Sequence, residues 1–380
     1  MSRPIAESGS PRQIDIAPRA RRERLAWIDL FRGMAVLVMI ETHVVNTFLA
    51  TAVRAEGWFA VLNYINGLVA PSFLFIAGFV QGMERGATPE KPVKFARRAR
   101  QLLGLIFIAY ALHFPWTELG QHRWDAALRV GTQVDVLQCI AVSLGLLLGI
   151  TWLAQKFGGR RGQQVWWMGL TVLLALFVFI APFAAEWNGF PIPLQAWVNR
   201  STGSWFPLFS WAGFVFFGAM SGAVYAYARR PSEAGGEADA VAQLPILHPL
   251  RFGRPSTSVL FITPLPLGVV VWTFLGAASY SPASPASFFS RVAWVLVLAA
   301  FCELFASQKR PALALFAGKH SLTLYVVHLV LISTLAGWGV PTNAISLPGV
   351  VAMMAGIGMV SMVLTWVIAQ AQALLRKGGA

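Results

Sequence analysis

The stretch AWIDLFRGMAVLVMIETHVVNTF, residues 26–48, decides the fold class. The apolar run it belongs to, 26–50, is too long for a signal-peptide core and lacks a small-residue cleavage site, so it predicts a retained membrane helix. The whole chain of 380 residues is 56% hydrophobic and only 12% charged, with a mean hydropathy of +0.61. Soluble domains carry about 25% charged residues. Composition therefore excludes a soluble enzyme, a disordered scaffold and a disulfide-rich secreted module.

The formal net charge of +14 comes from basic residues that lie between apolar stretches. This placement is typical of the positive-inside rule and argues against a nucleic-acid partner, which needs basic residues clustered on a soluble fold. Arg far outnumbers Lys and Ala is abundant, which is typical of a GC-rich bacterial genome and predicts the bacterial inner membrane. Cys139 and Cys302 both lie in apolar runs, so neither a disulfide framework nor a thiolate metal site is expected.

Apolar runs long enough to cross a bilayer recur along the chain. They predict an all-α polytopic membrane helix bundle of about ten transmembrane helices, at residues 26–50, 58–82, 101–117, 134–154, 165–185, 205–228, 258–279, 289–306, 312–337 and 348–371. In this topology 24 of the 30 Lys and Arg residues fall inside and five fall in outside loops and helix ends. The asymmetry favours an N-in, C-in chain. Pro264 and Pro266 interrupt the seventh run, so eight or nine spans remain open.

Composition also divides the chain into four segments. Residues 1–24 are polar and basic without apolar periodicity, and predict a disordered cytoplasmic tail. Residues 25–228 hold helices one to six, and residues 257–380 hold the remaining four. Between them, residues 229–256 mix Gly, Pro and acidic residues without periodicity, which is typical of a flexible cytoplasmic linker.

Ionisable residues in the first helix are candidates for function because charged groups at bilayer depth are costly. Arg32 and His43 are eleven positions apart, so both side chains point the same way and His43 lies about 16 Å deeper. Asn46 shares the face of His43, whereas Glu41 points elsewhere. A buried histidine stays neutral and can act as base or nucleophile near pH 7. The alternatives are an interfacial ion pair between Asp29 and Arg32 and a structural histidine.

The other polar candidates lie at helix ends or along one helix. His113 ends the third helix, and Asp135 and Gln138 begin the fourth, so they could form an outer rim that binds the acceptor, or could merely be solvated. A cytoplasmic cluster of Lys94, Arg97 and Arg98 suits a polyanionic donor such as a nucleotide or coenzyme A. Ordinary positive-inside anchoring is the alternative for that cluster. Ser321, Tyr325 and His328 form a polar stripe that either functions or holds helices together.

Five ordered stretches carry a resemblance to a known family. They are RLAWIDLFRGMAVLVMIETH at 24–43, APSFLFIAGF at 70–79, VDVLQCIAVSL at 134–144, SWFPLFSWAGFVFFGA at 204–219 and AGKHSLTLYVVHLVL at 317–331. The first resembles the first helix of bacterial relatives of heparan-alpha-glucosaminide N-acetyltransferase, within the wider transmembrane acyltransferase superfamily. The last is similar to the superfamily's C-terminal G-x-x-S-x-x-x-Y-x-x-H element.

The resemblance implies acyl transfer, most simply of acetyl, from cytoplasmic acyl-CoA to a sugar hydroxyl or amine of an envelope glycan or lipid-linked sugar. It places the family Arg and His on Arg32 and His43, and the C-terminal element on Tyr325 and His328. Catalysis then falls to His43, Arg32 and His328, and donor binding to Arg32, Tyr325 and the cytoplasmic basic cluster. No metal is expected, membrane lipids surround the bundle, and a homo-oligomer remains open. The rival hypothesis is a transporter or flippase whose midplane polar residues line a path for a glycan or lipid precursor.

Overall fold

The computed structural model describes residues 25–89, 91–228, 281, 283–308 and 311–378, and within these ranges it is all-helical. The predicted tail at 1–24, the linker at 229–256 and the span at 258–279 lie outside the described residues. We number the described helices α1 Ala26–Phe48, α2 Thr51–Arg54, α3 Gly57–Asn66, α4 Val69–Ala87, α5 Phe95–Leu112, α6 Trp116–Gly120, α7 Trp124–Gly131, α8 Val136–Phe157, α9 Gly159–Phe179, α10 Ala181–Ala184, α11 Ile192–Val198, α12 Leu208–Ala228, α13 Pro285–Gln308, α14 Ala312–Lys319, α15 Ser321–Gly337 and α16 Leu347–Gly378.

Six stretches of the described chain are long and apolar enough to cross a membrane: Gly57–Ala87, Val136–Phe157, Gly159–Phe179, Leu208–Ala228, Pro285–Ala306 and Leu347–Arg376. The bent pair α14 and α15 makes a seventh if it counts as one span. Neither α1 nor α5 is among them, because Arg32 and Glu41 interrupt the apolar run of α1 and three arginines lie near the start of α5. The protein is therefore a multi-pass membrane protein with at least six or seven candidate spans.

The expectation of one continuous helix over 312–337 is wrong. The chain bends by 86° between Lys319 and Ser321, which separates α14 from α15. The second predicted helix, 58–82, is also divided, with α3 ending at Asn66 and α4 starting at Val69. The junction between α14 and α15 contains no proline. The break before α4 contains Gly67 and lies within one turn of Pro71, which has no N–H to donate to the Gly67 carbonyl.

The helices α4 and α12 pack in direct backbone contact. A Cβ atom on Gly78 or Gly82 would overlap the backbone of α12, and one on Gly218 or Gly222 would overlap the backbone of α4. Small residues allow this approach in membrane bundles, where close packing replaces the hydrophobic effect between helices. Gly78 is thus a packing residue of this pair. The buried core continues from this pair through aromatic side chains such as Phe75, Phe79 and Tyr225.

Helix α1 packs against helices from both ends of the chain, namely α4, α13, α14, α15 and α16. Beyond its C-terminus, Leu49 forms an isolated parallel bridge with Ile345, in the segment between α15 and α16. Arg54 donates hydrogen bonds to the backbone oxygens of Val45 and Asn46 and to the side chain of Asn343. These contacts fix the end of α1 beside the start of α16. The position of His43, within the last turns of α1, is fixed with it.

Candidate active site

Two histidines meet in the interior of the bundle. The rings of His43 on α1 and His328 on α15 lie 5.3 Å apart between centroids. His328 is fully buried, whereas His43 is partly exposed. A partly exposed imidazole is open to a substrate, while its buried neighbour is held in place by packing. The structure therefore brings together the two histidines that sequence reasoning had placed on separate helices.

The hydrogen bonding of His328 fixes which ring nitrogen carries its proton. Its Nδ1 lies 2.8 Å from the backbone oxygen of Leu324, and a carbonyl oxygen only accepts, so Nδ1 carries the hydrogen. The lone pair of a neutral ring then sits on Nε2. That Nε2 atom is buried and has no hydrogen-bond partner among the described residues. A buried acceptor atom without a donor is costly in a protein and is suited to receive a proton from a bound molecule.

A carboxylate lies next to the histidine pair. The Tyr325 hydroxyl donates a hydrogen bond to Asp135, and the Tyr325 ring packs edge-on against His328, with centroids 5.7 Å apart. The same oxygen, Asp135 Oδ2, lies 3.6 Å from Nε2 of His113. We call His43, His113, Asp135, Tyr325 and His328 the histidine cluster. It draws two residues from α15 and one each from α1, the end of α5 and the start of α8.

Asp135 is held in the cluster by the helix it begins. It is the N-cap of α8, and its side chain accepts from the backbone of Gln138 while the Gln138 side chain accepts from the Asp135 backbone N–H, at 3.1 Å. This capping box fixes the carboxylate against the helix end. Gln138 itself is fully buried. Its side chain therefore belongs to the cap of α8 and not to a solvent-facing rim for the acceptor.

The remaining polar residues of α1 lie around the cluster. The Asn46 side chain is exposed, one turn beyond His43. Glu41 points away from the histidines, as expected, and accepts a hydrogen bond from the Asn66 side chain at 3.3 Å. Asn46 is thus exposed beside the histidine cluster, whereas Glu41 contributes to the contact between α1 and α3.

Arg32 lies beside the break between α14 and α15. Its Nη2 atom donates to the hydroxyl of Ser321, the first residue of α15, at 2.7 Å. It also lines a cavity of about 350 Å³ together with Lys319, His320, Leu322, Thr323, Ala369, Gln372, Ala373 and Arg376. We call this the α15 cavity. Arg32 is therefore bonded to the first residue of the helix that carries Tyr325 and His328.

A second cavity, of about 470 Å³, opens between α4, α5, α8 and α9, and we call it the α5 cavity. Lys94, Arg97 and Arg98 line it, as does Arg85, whose Nη1 atom is buried without a hydrogen-bond partner among the described residues. Arg98 is already engaged, since it donates to Glu84 at 2.6 Å and also to Gln81. The inner wall of the α5 cavity is apolar and is formed by Leu102, Leu144, Leu147, Leu148 and Trp166.

The cavities and the histidine cluster lie at opposite ends of the same helices. Arg32 and His43 are three turns apart on α1, and Arg97 and His113 are separated by the length of α5, about 24 Å. The structure does not bring Arg32 into one site with Lys94, Arg97 and Arg98, because they line different cavities. Sequence reasoning also missed Arg85, Lys319 and Arg376, whose spacing along the chain gives no sign that each one faces a cavity.

Residues 24–263, more than half of the chain, match the family model described as heparan-alpha-glucosaminide N-acetyltransferase, catalytic. The chain belongs to this family. It is accordingly a member of a family of membrane acetyltransferases, which in general use acetyl-CoA as co-substrate. The match covers His43, His113 and Asp135, and it ends before Tyr325 and His328.

No match was found among curated proteins. Within the part of the chain that the structure describes, no group of three or more His, Cys, Asp or Glu side chains is arranged to hold a metal ion.

Proposed function

We propose that this protein transfers an acetyl group from cytoplasmic acetyl-CoA to an amine or hydroxyl of an envelope glycan or lipid-linked sugar. The observation that carries the proposal is the pairing of His43 with His328 inside a member of a membrane acetyltransferase family. The rival role as a transporter or flippase finds some support in the bent pair α14 and α15, since broken helices are common in transporters. Family membership favours the enzyme.

The two histidines support two routes to the same product. In the first, His43 attacks the thioester carbonyl, the carbon–sulfur bond breaks, and coenzyme A leaves as a thiolate that takes up a proton. The acceptor then attacks the acyl-imidazole, its N–H or O–H proton passes to Nε2 of His328, and from there to His43 as the carbon–nitrogen bond to the imidazole breaks. In the second, the acceptor attacks the thioester directly while His43 or His328 takes its proton, the carbon–sulfur bond breaks, and the histidine returns the proton to the departing coenzyme A thiolate.

Donor binding is proposed for the α5 cavity. Lys94 and Arg97 are exposed and line its mouth, where they suit the phosphates of coenzyme A, and Arg98 and Arg85 lie deeper. The inner wall at Leu144 is nine residues from Asp135 along α8, about 14 Å, which the pantetheine arm would bridge to deliver the thioester. In this arrangement Tyr325 contacts the acyl end of the donor and Arg32 acts by holding α15.

The acceptor is proposed to enter from the opposite face. Asn46, His113 and Asp135 lie at that end of the bundle, next to the partly exposed His43. This placement assumes the N-in, C-in topology of about ten spans in a bacterial inner membrane, which the distribution of Lys and Arg supports.

The test is acetyl transfer by purified protein in lipid nanodiscs. Wild-type protein should bind acetyl-CoA and release coenzyme A when supplied with glucosamine or with isolated envelope glycan. His43→Ala should lose this activity by about 100-fold or more and keep its affinity for acetyl-CoA, because the proposed phosphate partners lie far from the cluster. His122→Ala is the matched control, since His122 is exposed and outside the cluster. Transport of a glycan precursor without any turnover of acetyl-CoA would favour the rival role.

A further inference from the structure

The α15 cavity is distinct from both the histidine cluster and the α5 cavity. Three basic side chains converge on it from three helices: Arg32 from α1, Lys319 from the end of α14 and Arg376 from the end of α16. No Asp or Glu is among the described residues that line it. Lys319 and Arg376 make the recess positive, and no carboxylate is among the described residues that line it, so it suits an anionic ligand.

The break between α14 and α15 adds backbone donors to this recess. Because the chain turns by 86° after Lys319, the first turn of the 17-residue helix α15 begins at the cavity, and Leu322 and Thr323 line it. The first N–H groups of a helix have no partner within it and carry the positive end of its dipole. Such a helix start, next to converging basic side chains, suits the oxygens of a phosphate group.

One wall of the cavity lies on the exposed surface of the helix bundle. Gln372, Ala373 and Arg376 on α16 are exposed, and so are the large apolar side chains of Trp366 and Leu374 on the same helix. Exposed apolar residues on a membrane helix contact acyl chains. A ligand in the α15 cavity is therefore reached from the bilayer, and its apolar part can lie along α16.

We propose that the α15 cavity binds the headgroup phosphate of an anionic phospholipid. The cavity lies at the same end of the bundle as the basic mouth of the α5 cavity, which the charge distribution places at the cytoplasmic leaflet. Anionic lipids of that leaflet attract basic residues near the surface. Since Arg32 also bonds to Ser321, the bound lipid reinforces the start of α15, two turns before His328. This inference does not depend on the identity of the acceptor.

The experiment compares how two double variants bind phosphatidylglycerol and acetyl-CoA. Lys319→Gln with Arg376→Gln removes two cations of the α15 cavity, and Lys94→Gln with Arg97→Gln is the matched control in the α5 cavity. Each protein is placed in nanodiscs of phosphatidylcholine doped with phosphatidylglycerol, and lipid retention is read by native mass spectrometry. Acetyl-CoA affinity is measured in parallel, and inorganic phosphate is added as a competitor.

The α15 variant should retain phosphatidylglycerol about tenfold less than wild type. Its affinity for acetyl-CoA should remain unchanged, and the control variant should show the reverse pattern. Equal lipid retention by the α15 variant and wild type would overturn the proposal. Loss of acetyl-CoA affinity in the α15 variant with unchanged lipid retention would assign the cavity to the donor instead, and displacement by millimolar inorganic phosphate would assign it to a free anion. Failure of every protein to bind acetyl-CoA would count against the proposed function and leave the lipid result standing.

Discussion

Gly318, at the end of α14, lies against Asp29 of α1 so closely that a Cβ atom on the glycine would overlap the aspartate's backbone oxygen. Gly33 makes the reciprocal contact with the backbone oxygen of Ala314. The two helices therefore touch backbone to backbone just before the bend that starts α15. Because α15 carries Tyr325 and His328, this contact helps to set the distance between His328 and His43.

Replacing Gly318 with alanine should consequently destabilise the protein. The overlapping atom is backbone and cannot rotate away, so the helices must separate, at a cost typical of overpacked cores, about 1–3 kcal/mol. We expect a lower melting temperature in detergent. Gly356→Ala is the control, since a Cβ there meets nothing within 4 Å. Equal melting temperatures for the two variants would show that the α1–α14 contact relaxes freely.

The Asp135–Tyr325 hydrogen bond should appear as coupling between two substitutions. Asp135→Asn keeps a residue that caps helices well and removes the charge, and Tyr325→Phe removes only the hydroxyl. We expect each substitution to lower kcat by about tenfold. A hydrogen bond to a charged group contributes roughly 1.5–3 kcal/mol, and the lower end of that range corresponds to about a tenfold change in rate. The double variant should be no slower than the slower single variant, because both remove one interaction. Fully additive effects would mean that the two residues act separately.

Isotope exchange should separate the two chemical routes. An acyl-imidazole on His43 predicts label on the protein from radiolabelled acetyl-CoA alone, and exchange between acetyl-CoA and free coenzyme A in the absence of acceptor. General-base catalysis predicts neither and requires acceptor and donor together. His328→Ala should leave label on the protein in the first route, because Nε2 of His328 acts only on the acceptor. Loss of labelling in that variant would place His328 in the first step.

The topology can be tested with single cysteines. Cys139 and Cys302 are both buried and should stay silent towards an impermeant thiol reagent. Lys91 and Gln121 are exposed at opposite ends of the bundle. In intact cells Gln121→Cys should label and Lys91→Cys should label only after lysis. Labelling of Lys91→Cys but not Gln121→Cys in intact cells would contradict the N-in, C-in topology.

Helical phase is the reason why part of the site could be predicted from sequence. The alignment of Arg32 with His43 follows from residue spacing alone, as does the pairing of Asp135 with Gln138, three positions apart, which the structure reveals as a capping box. The length of the apolar runs predicted a membrane protein and most of its candidate spans, because a helix must reach a minimum length to cross a bilayer.

Which helices pack against one another could not be predicted from residue spacing. Arg32 lies within the first apolar run and Arg97 lies just before another, and only tertiary packing places them in different cavities. The bend before Ser321 has no proline to announce it and depends on how Gly318 packs on α1. The proximity of His43 to His328 likewise depends on which helices meet.

The bridge between Leu49 and Ile345, and the hydrogen bonds of Arg54 to α1 and Asn343, tie the first described helix directly to the last. The residues of the histidine cluster on α15 are thus connected to α1 through side-chain and backbone contacts. They do not depend only on the peptide chain between α12 and α13 for this connection. A gene divided within 229–256 should therefore yield two polypeptides that copurify and recover acetyl transfer together. Such recovery would show that the two parts of the chain fold as complementing fragments of one protein.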